Sequence, residues 1–174
     1  MISPKYRKLI EKMHQTDDRW GRSAAKWAHQ VTQMAKRYRT SEVLDYGCGK
    51  GTLARAMKAE IQEYDPGIPE KSILPVPSDI VVCVDVMEHV EEEFVPDVIA
   101  HLHSLTKKAL LIHVSTRLAR KKLPDGSNAH LTVKPMRWWA NQFGNYFKWG
   151  IETHMSPDGF TVWLTPLEFD DDAV

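Results

Sequence analysis

Three glycines alternate along Gly47-Cys48-Gly49-Lys50-Gly51, directly after the apolar pair Val43-Leu44 and an acid, Asp45. Glycine reaches backbone angles closed to other residues and leaves no Cβ in the way of a ligand. The run that follows, Thr52–Met57, reads as a helix start, which offers free N–H groups and the positive end of a dipole. The spacing is G-x-G-x-G rather than the G-x-G-x-x-G of dinucleotide sites, and no Gly-Lys-Ser/Thr closes the loop, although Gly49-Lys50-Gly51-Thr52 comes near. A phosphate-cradling loop is therefore not indicated. A strand-to-helix turn without any ligand would need the same glycines, so the loop alone decides nothing. A second acid, Asp65, follows Asp45 by about 20 residues, the distance at which an α/β nucleotide site places a carboxylate on ribose hydroxyls. A carboxylate there accepts two charge-assisted hydrogen bonds; the plainer alternative is a turn residue before Pro66-Gly67. A third group, Asp85-Val86-Met87-Glu88-His89, ends an apolar run, and a later loop holds Arg117, Asp125, Asn128 and His130. Histidine is the commonest general base near neutral pH.

Val43-Leu44-Asp45-x-Gly47-Cys48-Gly49-x-Gly51 closely resembles the first motif of class I S-adenosylmethionine-dependent methyltransferases. The resemblance implies that the glycine loop passes under the methionine part of the cofactor and that Asp45 helps to hold its amino group. Asp65 takes the place of the acid that grips both ribose oxygens. The cofactor-binding set it implies is Asp45, Tyr46, Gly47, Cys48, Gly49, Gly51, Asp65, Pro66, Asp85, Val86 and Met87. Asp85-Val86-Met87-Glu88-His89-Val90 is similar to the Asp-Val-Leu-Glu-His-Val of many small-molecule members. The resemblance runs over residues 42–165 and breaks at 66–78, where a full helix and a third strand are usual. Four prolines between Pro66 and Pro77 forbid a long helix. The adenine-side acid of the family is missing there, and Ile68, Ile73 or Leu74 is expected to line the adenine pocket instead. The compact size and trimmed middle are similar to those of short bacteriophage and bacterial members.

Methyl transfer from a sulfonium needs a nucleophile held in line with the methyl group and water kept out. An oxygen or nitrogen nucleophile can also need a base. The catalytic set expected from loops at the carboxyl edge of the sheet is His130, Glu88, His89 and Asn128, with Arg117 and Asp125 as further candidates. Asp85-x-x-Glu88-His89 followed by His130 also resembles the two-acid, two-histidine metal site of small-RNA 3′-terminal 2′-O-methyltransferases; some ubiquinone-pathway O-methyltransferases show a related Glu-His site. The expectation adopted is no metal, with Asp85 on the cofactor and His89 packed beneath it. The alternative is a divalent metal on Asp85, Glu88, His89 and His130. His113, inside a strand, is read as a packed histidine, and His101 and His103, two apart on a helix, cannot easily share a ligand.

These residues require an α/β frame, a Rossmann-like sheet, mostly parallel, with an antiparallel C-terminal strand, a reduced third strand and an N-terminal helical extension. One domain over residues 1–174 is expected: a helical cap at 1–40, a core at 42–165 and an acidic, disordered tail at 168–174. Helices are expected at 4–14, 22–38, 52–60, 91–106 and from Pro135, and strands at 42–46, 61–65, 79–85, 109–114, 145–153 and 159–165, with a stub at Ile73-Leu74. Ala24, Trp27, Ala28, Val31, Met34 and Ala35 form a core stripe at helical spacing. Trp20 and Arg22 are read as packing or exposed, with the cofactor mouth as the alternative.

Net charge is zero but unevenly spread. Residues 1–40 hold ten Lys/Arg against three acids, and residues 117–148 hold seven against one. These two stretches either face an anionic substrate or are simply solvated. Two cysteines, Cys48 and Cys83, give no disulfide framework and point to a reducing cytoplasm. No apolar run approaches the roughly 20 residues of a membrane span, and no membrane partner is expected. The sequence sets no oligomeric state. The function expected is S-adenosylmethionine-dependent methyl transfer to an oxygen or nitrogen of a small or nucleotide-like acceptor. The alternatives are an RNA- or DNA-directed methyltransferase and a protein that binds or degrades the cofactor without transfer.

Overall fold

The computed structural model describes residues 2–168. Six strands form one sheet: β1 (Val43–Tyr46), β2 (Gln62–Tyr64), β3 (Ser78–Val84), β4 (Thr106–Ser115), β5 (Phe147–Ser156) and β6 (Gly159–Pro166). Their order is β2-β1-β3-β4-β6-β5. β1 to β4 run parallel, and β6 lies antiparallel between β4 and β5. β2 and β3 flank β1 on opposite sides, so the strand order reverses at β1. Open α/β sheets bind ligands in the crevice that this reversal opens at the carboxyl ends of the strands.

The strands alternate their side chains between two helical layers. Leu44, Val81, Cys83, Leu110 and Ile112 face α4 (Val95–Leu105) and α5 (Met136–Phe143), whose Ile99, Leu102, Trp139 and Phe143 are fully buried. Val43, Ile80, Val82, Val84 and Leu111 face the opposite way, against Leu53 of α3 (Thr52–Met57), Val31 of α2 (Ala28–Tyr38) and Trp27. Each such side chain, taken fully out of water, contributes roughly 1.5–3 kcal/mol. The stripe expected at 24–35 is this packing surface, although its first turn, Ser23–Trp27, is a 3-10 turn rather than α-helix. α3 stops at Met57, short of residue 60, because Lys58 turns left-handed (φ 53°) and its N–H closes onto Ala54 and Arg55.

α1 (Pro4–Thr16) lies apart from both layers. Ser3 caps it by accepting from the Tyr6 N–H, and Pro4 suits its first turn. Its Tyr6, Ile10 and Met13 pack with Leu123 and Ala129 of the long connection after β4. The segment 66–78 holds only the 3-10 turn Pro69–Lys71, and no strand forms at Ile73-Leu74. The Gln62 side chain instead pairs with the Val76 backbone, donating to its carbonyl at 2.9 Å and accepting from its N–H at 2.7 Å. The tail expected at 168–174 lies, from residue 169, outside the described residues. Among the described residues no helix is long and apolar enough to cross a membrane.

Candidate functional site

A cavity of about 550 Å³ opens at the carboxyl ends of β1, β2 and β3, with Gly47, Asp65, Pro66, Asp85 and Val86 in its wall. All three loop glycines adopt left-handed angles, φ 79° at Gly47, 50° at Gly49 and 66° at Gly51. A Cβ on Gly47 would stand 2.4 Å from Val86 Cγ2, and one on Gly49 would stand 2.6 Å from Gly21 Cα. Gly21 is itself left-handed (φ 70°), and its carbonyl accepts from the Lys50 N–H at 2.9 Å. Two glycine backbones thus cross, and the segment around Trp20-Gly21-Arg22 lies on the glycine loop as part of the cavity wall. Trp20, packed against the α1 cluster, and Arg22, exposed, both line this cavity, so the expected packing and exposure and the alternative place at the mouth hold together.

Asp65 ties the loop to the bend that follows β2. Its Oδ2 accepts from the Gly49 N–H and its Oδ1 from the Gly67 N–H, both at 2.9 Å. A carboxylate offers about four lone-pair sites, so acceptor capacity remains toward the cavity. Pro66 and Gly47 line the same cavity.

The other residues of the expected cofactor set do not reach the cavity wall. Asp45 is 1% exposed, its Oδ2 has no partner, and burial followed by the Glu63 charge pushes its carboxyl up to about 7. The Tyr46 hydroxyl meets His101 Nδ1 at 3.1 Å. Cys48 is buried, which pushes its thiol up, and Met87 is core. Gly49 abuts Gly21, and Gly51 abuts the Glu63–Lys71 ion pair. The central strand β1 is buried along its whole length, so its side chains leave the ligand edge to the loop backbone. Of Ile68, Ile73 and Leu74, expected at the adenine, only Ile68 is partly buried. Ile73 and Leu74 are 83% and 68% exposed, and the prolines around them keep this stretch from pairing with the sheet.

Asp85 sits at the end of β3 with φ 55°, a left-handed angle that aspartate tolerates better than most residues. Its Oδ1 lies 3.2 Å from His113 Nε2 and its Oδ2 3.6 Å from Lys26 Nζ. His113 Nδ1 pairs with Thr161 Oγ1 at 2.8 Å. His113, read from sequence as a satisfied core or edge histidine, has its two ring nitrogens at Thr161 and Asp85 and so holds Asp85 at the cavity wall; the strand pattern gives its face but not what arrives there.

Glu88, His89 and His130 converge. Each offers one ligand atom, and the three atoms lie within 4.8 Å of one another. The approach of His130 is built from backbone: the Glu88 carbonyl accepts from the N–H groups of Leu131 (2.8 Å) and Thr132 (3.0 Å), and Thr132 Oγ1 donates to the Val90 carbonyl. His89 Nδ1 meets the Ala129 carbonyl at 2.7 Å and His130 Nδ1 the Arg117 carbonyl at 2.6 Å. A carbonyl only accepts, so both rings carry hydrogen on Nδ1 and keep an Nε2 lone pair. Glu88 is 1% exposed; Oε1 accepts from the Ser115 N–H at 3.1 Å, and Oε2 has no partner. Burial, then the Asp85 charge, pushes the Glu88 carboxyl up to about 8. Burial, then the neighbouring His130, holds His89 down at about 4, and burial also lowers His130. Trp20 stacks edgewise on His89 with ring centroids 5.0 Å apart.

Asn128 does not face the cavity. Its Oδ1 accepts from the N–H groups of Ala119 and His130, and its Nδ2 donates to the Ala119 carbonyl. Asp125 shapes its own turn through Ser127, whereas Arg117 reaches the cavity rim. Asp85, engaged by His113 and Lys26, stands outside the three-residue cluster. Arg19, Arg22 and Lys26 from the first basic stretch and Arg117, Arg120 and Lys121 from the second border one cavity.

This sheet order, with its glycine loop, the acid after its second strand and the inserted antiparallel strand, is that of the Rossmann-like methyltransferase fold. A family profile described as "Methyltransferase domain" matches residues 18–171, and the chain belongs to that family. Magnesium protoporphyrin IX methyltransferase from Synechocystis PCC 6803, solved with bound S-adenosylmethionine, is similar at TM-score 0.63 and 16% identity, over 92% of this chain and 96% of that one. The 1,6-didemethyltoxoflavin-N1-methyltransferase of Burkholderia thailandensis, solved with its namesake compound and S-adenosylhomocysteine, is similar at TM-score 0.66 and 13% identity, over 97% and 92% of the two chains. The 16S rRNA methylase RmtB is similar at TM-score 0.52 and 13% identity, over 95% and 76%. No curated protein sequence matches this chain.

Proposed function

We propose that this protein moves a methyl group from S-adenosylmethionine to an oxygen or nitrogen of a small or nucleotide-like acceptor, in the cytoplasm. The observation that carries the reading is one cavity with two chemical halves. Gly47, Asp65, Asp85 and Val86 stand on the side suited to the cofactor, and Glu88, His89 and His130 form a polar cluster beside it. The cofactor supplies an already activated methyl group. Asp65 holds the sugar, and Trp20 and α1 keep water from the reacting centre. The His130 Nε2 lone pair accepts the proton that an acceptor hydroxyl or amine releases, while the Arg117 carbonyl fixes the ring. Incubation with methyl-labelled cofactor tests this: label on an acceptor supports transfer, cleaved cofactor means breakdown, and unchanged cofactor means binding alone.

The orphaned Glu88 Oε2 favours a second, metal-assisted reading of the same cluster. A buried carboxyl with one unpartnered oxygen, grouped with two imidazoles whose Nδ1 atoms meet backbone carbonyls, is the arrangement in which outer contacts aim metal ligands. One acid and two histidines suit zinc, manganese or iron better than calcium. A divalent ion there would acidify an acceptor hydroxyl. The ligand set is then Glu88, His89 and His130, without Asp85. Calorimetric titration with Mn²⁺ tests it: binding lost in Glu88→Gln supports the site, and no binding by the native chain refutes it. The cationic rim supports a nucleic acid as the acceptor in either reading; retention on RNA that weakens steeply with salt would show it.

A further inference from the structure

The fold lacks the strand and helix that would wall the adenosine side of the cavity, yet that side is not open. α1 stands there, and its Tyr6, Ile10 and His14 share the cavity lining with Asp65 and Pro66. The helix is seated rather than loosely laid. Ser3 donates to the Glu91 carboxylate through both its N–H (2.8 Å) and its hydroxyl (2.6 Å), and the Lys50 ammonium donates to the His14 carbonyl at 2.6 Å. Gly67 admits it closely, since a Cβ there would stand 2.8 Å from Ile10 Cδ1.

His14 is the unexplained residue. It is 8% exposed, its Nδ1 has no hydrogen-bond partner, and its Nε2 stands 3.7 Å from Asp65 Oδ2, beyond hydrogen-bond reach. Buried polar atoms are almost always paired, and an orphan at a cavity wall points to a missing ligand atom. With the Asp65 carboxylate on the Nε2 side, the tautomer that carries its hydrogen on Nε2 leaves Nδ1 as an acceptor. Tyr6 and Ile10 add an aromatic and an aliphatic side chain to the lining that Pro66 shares, apolar surface of the kind a purine face takes.

We infer that α1 forms the adenosine subsite of this protein, with His14 Nδ1 accepting a hydrogen bond from the nucleoside and Tyr6 and Ile10 walling the base. The inference rests on the cofactor reading above and adds which residues hold the half of the cofactor that segment 66–78 cannot. It also assigns a role to an N-terminal helix that carries no recognisable motif.

Two measurements on the full chain test it. Photolabelling of the native protein with 8-azido-S-adenosylhomocysteine should mark the peptide containing residues 6–14, and label confined to residues 66–78 overturns the subsite. Affinities of His14→Ala for S-adenosylhomocysteine and for 5′-deoxy-5′-methylthioadenosine, which lacks the amino-acid half, should both fall about tenfold, as for one uncharged hydrogen bond. A loss seen only with S-adenosylhomocysteine, or none with either probe, also overturns it. Should His14→Ala fail to fold, the photolabelling of the native chain decides alone. Failure of the native chain to bind S-adenosylhomocysteine would instead refute the cofactor reading, and the subsite with it.

Discussion

Gly21→Ala and Gly126→Ala add the same methyl group to the same kind of backbone, and they should differ sharply. Both glycines are left-handed, with φ 70° and 88°. A residue with a Cβ loses roughly 1–2 kcal/mol in that region, of which about 0.4–1 kcal/mol is returned by a stiffer unfolded chain. At Gly126 nothing lies within 4 Å of the new carbon, so its cost should stay near 1 kcal/mol. At Gly21 the new carbon meets Gly49 Cα at 2.8 Å, His14 Cε1 at 3.1 Å and the Lys50 nitrogen at 3.3 Å. Two of these are backbone and cannot rotate away. Overpacking of that kind costs about 1–3 kcal/mol, and lifting the segment breaks the Gly21–Lys50 hydrogen bond, worth about 1 kcal/mol more. Urea unfolding followed by circular dichroism should place Gly21→Ala about 2–3 kcal/mol below Gly126→Ala, with weaker binding of S-adenosylhomocysteine as the cavity wall shifts. Equal losses in the two variants, within about 0.5 kcal/mol, would refute the crossing of the two glycine backbones.

Asp65→Asn should weaken S-adenosylhomocysteine binding by about 10–100-fold in calorimetry, the scale of hydrogen bonds to a charged acceptor. Asp45 carries a carboxyl raised from 3.8 to about 7, so the folded chain holds that proton more tightly than the unfolded chain. Its contribution to stability is complete below pH 4 and is lost as pH rises toward 7, a fall of about 4 kcal/mol. Asp45→Asn should take that share out of the slope of unfolding stability measured across pH 4–8, leaving the share of Glu88, whose carboxyl is also raised, and an unchanged slope would show that Asp45 contributes none of it. Should Mn²⁺ bind as the metal-assisted reading has it, Asn128→Ala should leave the fold intact while releasing the loop that presents His130 and so reduce that affinity about 10–100-fold; unaltered affinity would remove Asn128 from that positioning role.

The parts of the fold that local sequence encodes were legible. The continuous apolar run Ile80–Val84 reads as a buried parallel strand, and the glycines from 47 to 51 as a left-handed turn, because each signal lies within a few residues. The acid at 65 was legible through its spacing from β1. What sequence left open are the meetings of distant segments. Nothing near Gly21 shows that Gly49 will cross it, and a plain amphipathic helix at 4–16 does not show that its His14 ends beside Asp65. Strand periodicity places His113 on a face without revealing that Asp85 turns back onto it. Ile73-Leu74 misled for a different reason: an apolar pair suggests burial, but Pro75 and Pro77 deny it a place in the sheet, and both side chains stay in water. Asn128 looked reactive by type, and only its neighbours show that it braces backbone.

The loss of a strand makes β2 the border of the sheet, and a border strand invites pairing with a second molecule. β2 is only three residues long, and just beyond it the Val76 backbone spends its N–H and C=O on the Gln62 amide, so that neither is free for an incoming chain. Ile73, Leu74 and Val76, exposed just beyond it, would otherwise add the greasy flank that such stacking favours. A sheet that ends on so short a strand offers a second molecule little to pair with on this side.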